Sequence, residues 1–176
     1  MLLVFYGKGK GKSSAAYGTA ARALGHGWRV LLAIFLKDSR SGEVKLLRSF
    51  RRLVKVYVLG TESFVTPGDL SNPVASENMA KAYAFLRYLL PRELRNFRPK
   101  LVVLDELGLA VHLGIVDEHL ACRVLKAFAG KLNRHAVVTG RYVPSSIRGM
   151  ADLVSEVREV KHYFRRGVVN LEGLDY

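Results

Sequence analysis

Residues 7 to 14 read Gly-Lys-Gly-Lys-Gly-Lys-Ser-Ser and follow directly on the apolar run Leu2-Leu3-Val4-Phe5-Tyr6. A glycine-rich turn between a buried strand and a helix start points successive backbone N–H groups into one concavity. There the helix N-terminus adds positive potential. Lys12 supplies a mobile cation for phosphate oxygens, and the Ser13 hydroxyl suits a magnesium ion. The chemistry implied is capture of a nucleotide polyphosphate by Gly7, Lys8, Gly9, Lys10, Gly11, Lys12, Ser13 and Ser14. The general phosphate-loop pattern wants a glycine where this chain has Tyr6; Gly7 comes one residue late, and Gly9 is extra.

A second set of reactive groups lies at the end of Leu101-Val102-Val103-Leu104-Asp105-Glu106. Two carboxylates closing a buried strand are costly without a cation. In phosphate-loop proteins such a residue holds magnesium directly or through water, or orients a reacting water. The alternative is a capping role for the following helix. Ala136-Val137-Val138-Thr139-Gly140-Arg141 reads as a short strand and sharp turn that delivers Arg141 to the ligand edge. His26, His112, His119, His135 and His162 show no metal-ligand spacing with each other or with Cys122, so a zinc centre is not expected. His26 reads as a helix-terminus residue. His162, beside Lys161 at a strand end, is the histidine expected to touch ligand. No Ser/His/Asp or Cys/His constellation suggests covalent catalysis.

These groups need a scaffold that brings strand ends together. A helix is expected over residues 12–24, stopped by Gly25-His26-Gly27. Continuous apolar residues at 30–36 predict a strand covered on both faces, and residues 37–42 form a polar loop at its C-terminal end. A helix over 44–53 leads to a strand over 54–59, then to a long Gly/Pro/Ser-rich loop through residue 73. Phe64 in that loop either covers a ligand or pins the loop to the body. Residues 75–97 read as mainly helical, with Pro91 ending or restarting the helix. A helix over 117–129, helical turns within 144–151 and a strand over 153–160 complete the pattern. Alternating strands and helices predict one domain over residues 1–176. The expected class is α/β: a P-loop (RecA-like) fold with a mostly parallel six-stranded sheet and helices on both faces.

Composition narrows the function classes. An apolar content of 49% over 176 residues supports a real core and argues against disorder. No apolar run is long enough to cross a bilayer. With a strand starting at once, no signal peptide is expected, and the lone Cys122 excludes an internal disulfide; a reducing cytoplasm is the expected setting. The net charge of +13 admits a nucleic-acid surface, but the basic residues are dispersed and not interleaved with aromatics. A solvated basic surface is the preferred reading.

Taken together, the segments resemble the P-loop ATP:corrinoid adenosyltransferases. The resemblance rests on Gly7 to Gly18, Arg22-Ala23-Leu24-Gly25-His26-Gly27, Phe35-Leu36-Lys37, Leu104-Asp105-Glu106 and Thr139-Gly140-Arg141. It continues through Ala151-Asp152-Leu153-Val154-Ser155-Glu156, Val160-Lys161-His162 and Gly173-Leu174-Asp175-Tyr176. The short glycine spacing is what this family looks like. Its Gly-Phe-x-Trp stretch reads Ser63-Phe64-Val65-Thr66 here, without the tryptophan, and its common N-terminal extension is not present in this sequence.

The resemblance implies transfer of the 5′-deoxyadenosyl group of ATP to cob(I)alamin or a related corrinoid, with ATP in reversed polarity and triphosphate leaving. It implies Lys12, Phe64 and Glu106 as catalytic residues. The loop residues with Lys37, Arg141 and His162 are the implied substrate-binding set. Ser13, Asp105 and Glu106 are the implied holders of magnesium or manganese. A flavoprotein electron donor and a homodimer are also implied. A small-molecule kinase or NTPase, or a nucleotide-regulated nucleic-acid-binding module, are the competing readings.

Overall fold

A computed structural model describes residues 1–38, 40–61, 70, 72–129, 131, 133–169 and 171–175. Six strands form one sheet: β1 (Leu2–Tyr6), β2 (Val30–Ile34), β3 (Val54–Val58), β4 (Leu101–Asp105), β5 (His135–Gly140) and β6 (Leu153–Glu156). Their order is β3-β2-β4-β5-β1-β6, and every pairing is parallel. The expected α/β class and six-stranded sheet are therefore present. All C-terminal strand ends share one edge, the edge at which open parallel sheets bind ligands.

The strand pattern explains the two-layered cover. Along β2, Leu31 and Ala33 point into one apolar cluster while Val30, Leu32 and Ile34 point into another. Along β4, Val102 and Leu104 alternate with Leu101 and Val103 in the same way. Buried on both faces, such strands can read as unbroken apolar runs. Helices α1 (Lys12–Gly25) and α2 (Gly42–Ser49) cover the second cluster. On the other face lie α3 (Pro73–Ala84), α4 (Leu90–Asn96), α5 (Leu107–His112), α6 (Glu118–Ala129) and α7 (Ser145–Gly149).

Some boundaries differ from the sequence expectation. The helix does restart at Pro91, which sits in the first turn of α4, but the junction before it is a π-helical segment at Phe85–Leu89. Its wider turn, with the Leu90 N–H donating to the Phe85 carbonyl, lets the chain continue past a residue with no N–H of its own. Strand β2 stops at Ile34, where Leu36 takes a left-handed conformation at φ 60°. Strand β6 is shorter than expected: its register with β1 ends at Tyr6 and Glu156, and the next carbonyl, of Val157, takes the Gly9 N–H of the loop instead. Helix α5, too short to show a periodic stripe, is the helix that follows the acid pair; its bounds were not legible in the sequence. Phe64 lies outside the described residues. No helix among the described residues is long and apolar enough to cross a membrane.

Candidate active site

The loop between β1 and α1 folds back over the end of β6. A Cβ on Gly9 would lie 2.7 Å from the Arg158 carbonyl oxygen, and one on Gly7 would lie 2.5 Å from that of Val157. The Gly9 N–H donates to the Val157 carbonyl at 2.8 Å. The extra glycine that departs from the general pattern is thus a packing requirement: backbone meets backbone with no room for a side chain. Gly11, at φ 114°, then turns the chain into α1, whose start carries no side-chain cap and no acidic residue. The first-turn amides of a fourteen-residue helix are left for an outside acceptor.

That helix start opens on a cleft of about 560 Å³ lined by Lys10, Gly11, Lys12, Ser13, Ser14, Lys37 and Glu106 among others. Its volume is within the usual range for a small-molecule site. Beneath the lining residues Ser13, Tyr17 and Lys37, Asp105 is fully buried and accepts from four side chains. Ser13 Oγ lies 2.9 Å away, the Tyr17 hydroxyl 2.7 Å, Thr139 Oγ1 2.5 Å, and Lys37 Nζ 2.7 Å. Burial alone would raise the Asp105 pKa, but the Lys37 charge and these hydrogen bonds hold it below the ordinary carboxylate range. Lys37 is in turn held in its charged form: burial opposes it, and Asp105 and Glu106 outweigh that. The close approach of Gly60, where a Cβ would meet the Lys37 N at 2.1 Å, fixes the backbone that presents this lysine.

Glu106 is built differently. Its backbone is left-handed at φ 62°, and its N–H donates to Thr139 Oγ1 at 2.9 Å. Oε1 stands 3.9 Å from Lys37 Nζ, while Oε2 is buried and has no hydrogen-bond partner among the described residues. Burial pushes its pKa up, and the neighbouring Asp105 charge adds to this against Lys37 and Lys12. Glu106 occupies the N-cap position of α5 but its side chain caps nothing, so the capping alternative fails. Non-glycine residues held at positive φ cost of order 1–3 kcal/mol and persist where surrounding structure over-determines them. Leu36 and Glu106 are two such residues, and they flank the same lysine.

Lys12 Nζ donates to the Gly9 carbonyl at 2.6 Å, and burial lowers its pKa. Arg141 is exposed at the C-terminal end of β5 and does not line the cleft, though its charge and backbone N–H reach Lys12 and Glu106. Lys8 is exposed and outside the lining. His162 lies outside it too; its Nδ1 accepts from the Phe164 N–H at 3.1 Å and caps a 3-10 turn at Tyr163–Arg166. Sequence reasoning missed Tyr17, Asp38, Arg40, Ser41, Glu43, Leu174 and Asp175 as lining residues. The polar stretch at 37–42 was a usable signal for three of them; Ser41 Oγ is buried in the cleft with no partner among the described residues.

This geometry sets an uncapped, glycine-led helix start against an acid pair. Over residues 1–176 the sequence matches the family described as ATP:corrinoid adenosyltransferase BtuR/CobO/CobP. The chain belongs to that family. A corrinoid adenosyltransferase from Pseudomonas aeruginosa is 34% identical over 177 residues, covering all of this chain and 83% of that protein. Corrinoid adenosyltransferase CobA from Salmonella typhimurium is 35% identical over 179 residues, covering all of this chain and 85% of that protein. The Escherichia coli K12 corrinoid adenosyltransferase is 33% identical over 178 residues, again with 85% of its length covered. Within the family frame, the loop, Lys37 and the Asp105–Glu106 pair fall on the segments through which the sequence resembles it.

Proposed function

We propose that this protein transfers the 5′-deoxyadenosyl group of ATP to the Co(I) centre of a corrinoid and releases triphosphate. The observation that carries the reading is the cleft at the start of α1, joined to family membership over the whole chain. In the reaction, an electron pair on Co(I) attacks C5′, a Co–C bond forms, and the C5′–O bond breaks. The triphosphate leaves with the bonding pair. The cobalt nucleophile carries no proton, so no general base is required. The protein's task is to hold the leaving group and stabilise charge growing at its α end. Lys10, Lys12 and the α1 amides are placed for that role, with Lys37 at the cleft floor.

A divalent cation fits the same place. Ser13 Oγ, Asp105 and Glu106 converge on the Lys37 ammonium, and the open Glu106 Oε2 is a hard oxygen ligand. Magnesium bound by Ser13, Asp105 or Glu106 together with substrate phosphates would neutralise the leaving triphosphate; few protein ligands are usual for this ion. A flavoprotein-class donor for the Co(II) to Co(I) step, a homodimeric state and a cytoplasmic setting complete the proposal. Phe64 is assigned to displacing the axial ligand of bound Co(II), as the family resemblance implies.

Mixing the protein with Mg-ATP and chemically reduced corrinoid tests the reading directly. The expected result is a light-sensitive Co–C spectrum and one inorganic triphosphate per adenosyl group. ADP and phosphate without that spectrum would favour the kinase or NTPase reading.

A further inference from the structure

The three loop lysines have three different surroundings. Lys8 is exposed, and Lys12 reaches back to its own loop. Lys10 Nζ instead donates across the fold to Asp175 Oδ1 at 2.5 Å. Asp175 is itself fixed: its Oδ1 also takes the Tyr163 hydroxyl, and its Oδ2 accepts from the Leu171 N–H at 2.9 Å. Lys10 Nζ also stands 6.0 Å from the centre of the Tyr163 ring. Leu174 and Asp175 line the phosphate cleft beside Lys10, so the end of segment 171–175 forms part of its wall. Tyr163 opens the short turn capped by His162.

We propose that Asp175 is a positioning residue for Lys10 and that Tyr163 holds Asp175 in that role. Resting on the function proposed above, this makes segment 171–175 part of the triphosphate grip, acting through a loop lysine and not on the substrate. A lysine side chain fixed in one geometry loses rotamer freedom. A carboxylate anchored by a phenol and a backbone amide imposes that order before ligand arrives, and charge-assisted contacts are the stronger kind. Lys10 keeps donor capacity for a phosphate oxygen, since an ammonium has three N–H groups.

Binding of inorganic tripolyphosphate with magnesium, and separately of adenosine, is measured by calorimetry on the full chain. The proteins are the unchanged chain, Lys10→Ala, Asp175→Asn, Tyr163→Phe, the Lys10→Ala/Asp175→Asn double variant and Lys12→Ala. Asp175→Asn and Lys10→Ala are each expected to weaken tripolyphosphate about ten-fold. Tyr163→Phe should have a smaller effect in the same direction. The double variant should be no weaker than Lys10→Ala, with adenosine binding unchanged throughout. Unchanged or tighter tripolyphosphate binding in Asp175→Asn, as expected if the carboxylate merely competes with phosphate, overturns the proposal. So do additive losses in the double variant, or equal losses for adenosine. Tripolyphosphate binding that survives Lys12→Ala would instead overturn the phosphate-cleft reading itself, and this inference with it.

Discussion

Two buried carboxylates in this chain each hold a lysine and a tyrosine, yet only one of them lies beside the cleft at the start of α1, through partners that line it. Asp105 bonds Lys37 and Tyr17 at the C-terminal edge of the sheet. Glu93 on α4 bonds Lys55 at 2.7 Å and Tyr57 at 2.8 Å, both from edge strand β3. In each case burial alone would raise the acid's pKa, and the partners bring it down below the ordinary range. Tyr57 is correspondingly pushed up, to about 12, by burial and by Glu93. The difference lies in what is left over. Glu93 has a partner on each oxygen, whereas the Asp105 cluster includes a second acid, Glu106, with strained backbone and a buried oxygen unpaired among the described residues. A satisfied ion pair fastens a helix to a strand. A surplus carboxylate beside an uncapped helix start marks a place built for something else.

The two regions should part most widely at the cleft. Lys12→Ala is expected to lower kcat/KM for adenosyl transfer by about 100- to 1,000-fold while the thermal midpoint hardly moves. An equal loss of stability would merge the two regions into one structural class. Gly9→Ala should cost about 1–3 kcal/mol and lower activity as well, because its Cβ meets the Arg158 backbone and not a movable side chain. Denaturant titration with and without Mg-ATP checks this.

The β3–α4 pair should behave in the opposite sense. Glu93→Gln is expected to destabilise by about 1–2 kcal/mol, the size of a lost charge-assisted bond to a half-exposed lysine, with turnover per folded molecule unchanged. Its stabilising effect has a pH signature. The folded pKa of Glu93 lies below its ordinary value of 4.5, so the contribution is present above that pH and is lost as pH falls through the folded value. The acid-side slope of stability should therefore flatten in Glu93→Gln.

Glu106 supplies the smallest and most discriminating effect. Its folded pKa is raised above 4.5, so ionising it disfavours the folded state, and stability declines as pH rises through the folded value. Glu106→Gln should hence be slightly more stable at pH 7, by about 1 kcal/mol or less, while losing activity. A destabilised Glu106→Gln at neutral pH would place this acid with Glu93 as a structural group. For the loop, Phe64→Ala should reduce turnover from Co(II) corrinoid far more than from pre-reduced Co(I) corrinoid; equal losses would remove that assignment.

Much of this was legible in the residues themselves. Local rules act within a few positions. Gly7 to Ser14 after an apolar run specifies strand, turn and helix start, and continuous apolar stretches at 30–34 and 101–105 specify strands covered on both faces. The acid pair after such a run identified the cleft floor. Only the folded chain decided why Gly9 is present, because its neighbour Arg158 is far away in sequence. The same holds for the lysine facing Asp105 and for the partner of Lys10, 165 residues distant. Tyr17 and Thr139 lie 88 and 34 residues from Asp105 and reach it only because parallel strands gather their C-terminal ends at one edge. Sequence period fixes which way a side chain points from its own element; which groups then meet depends on strand order, which no local pattern encodes.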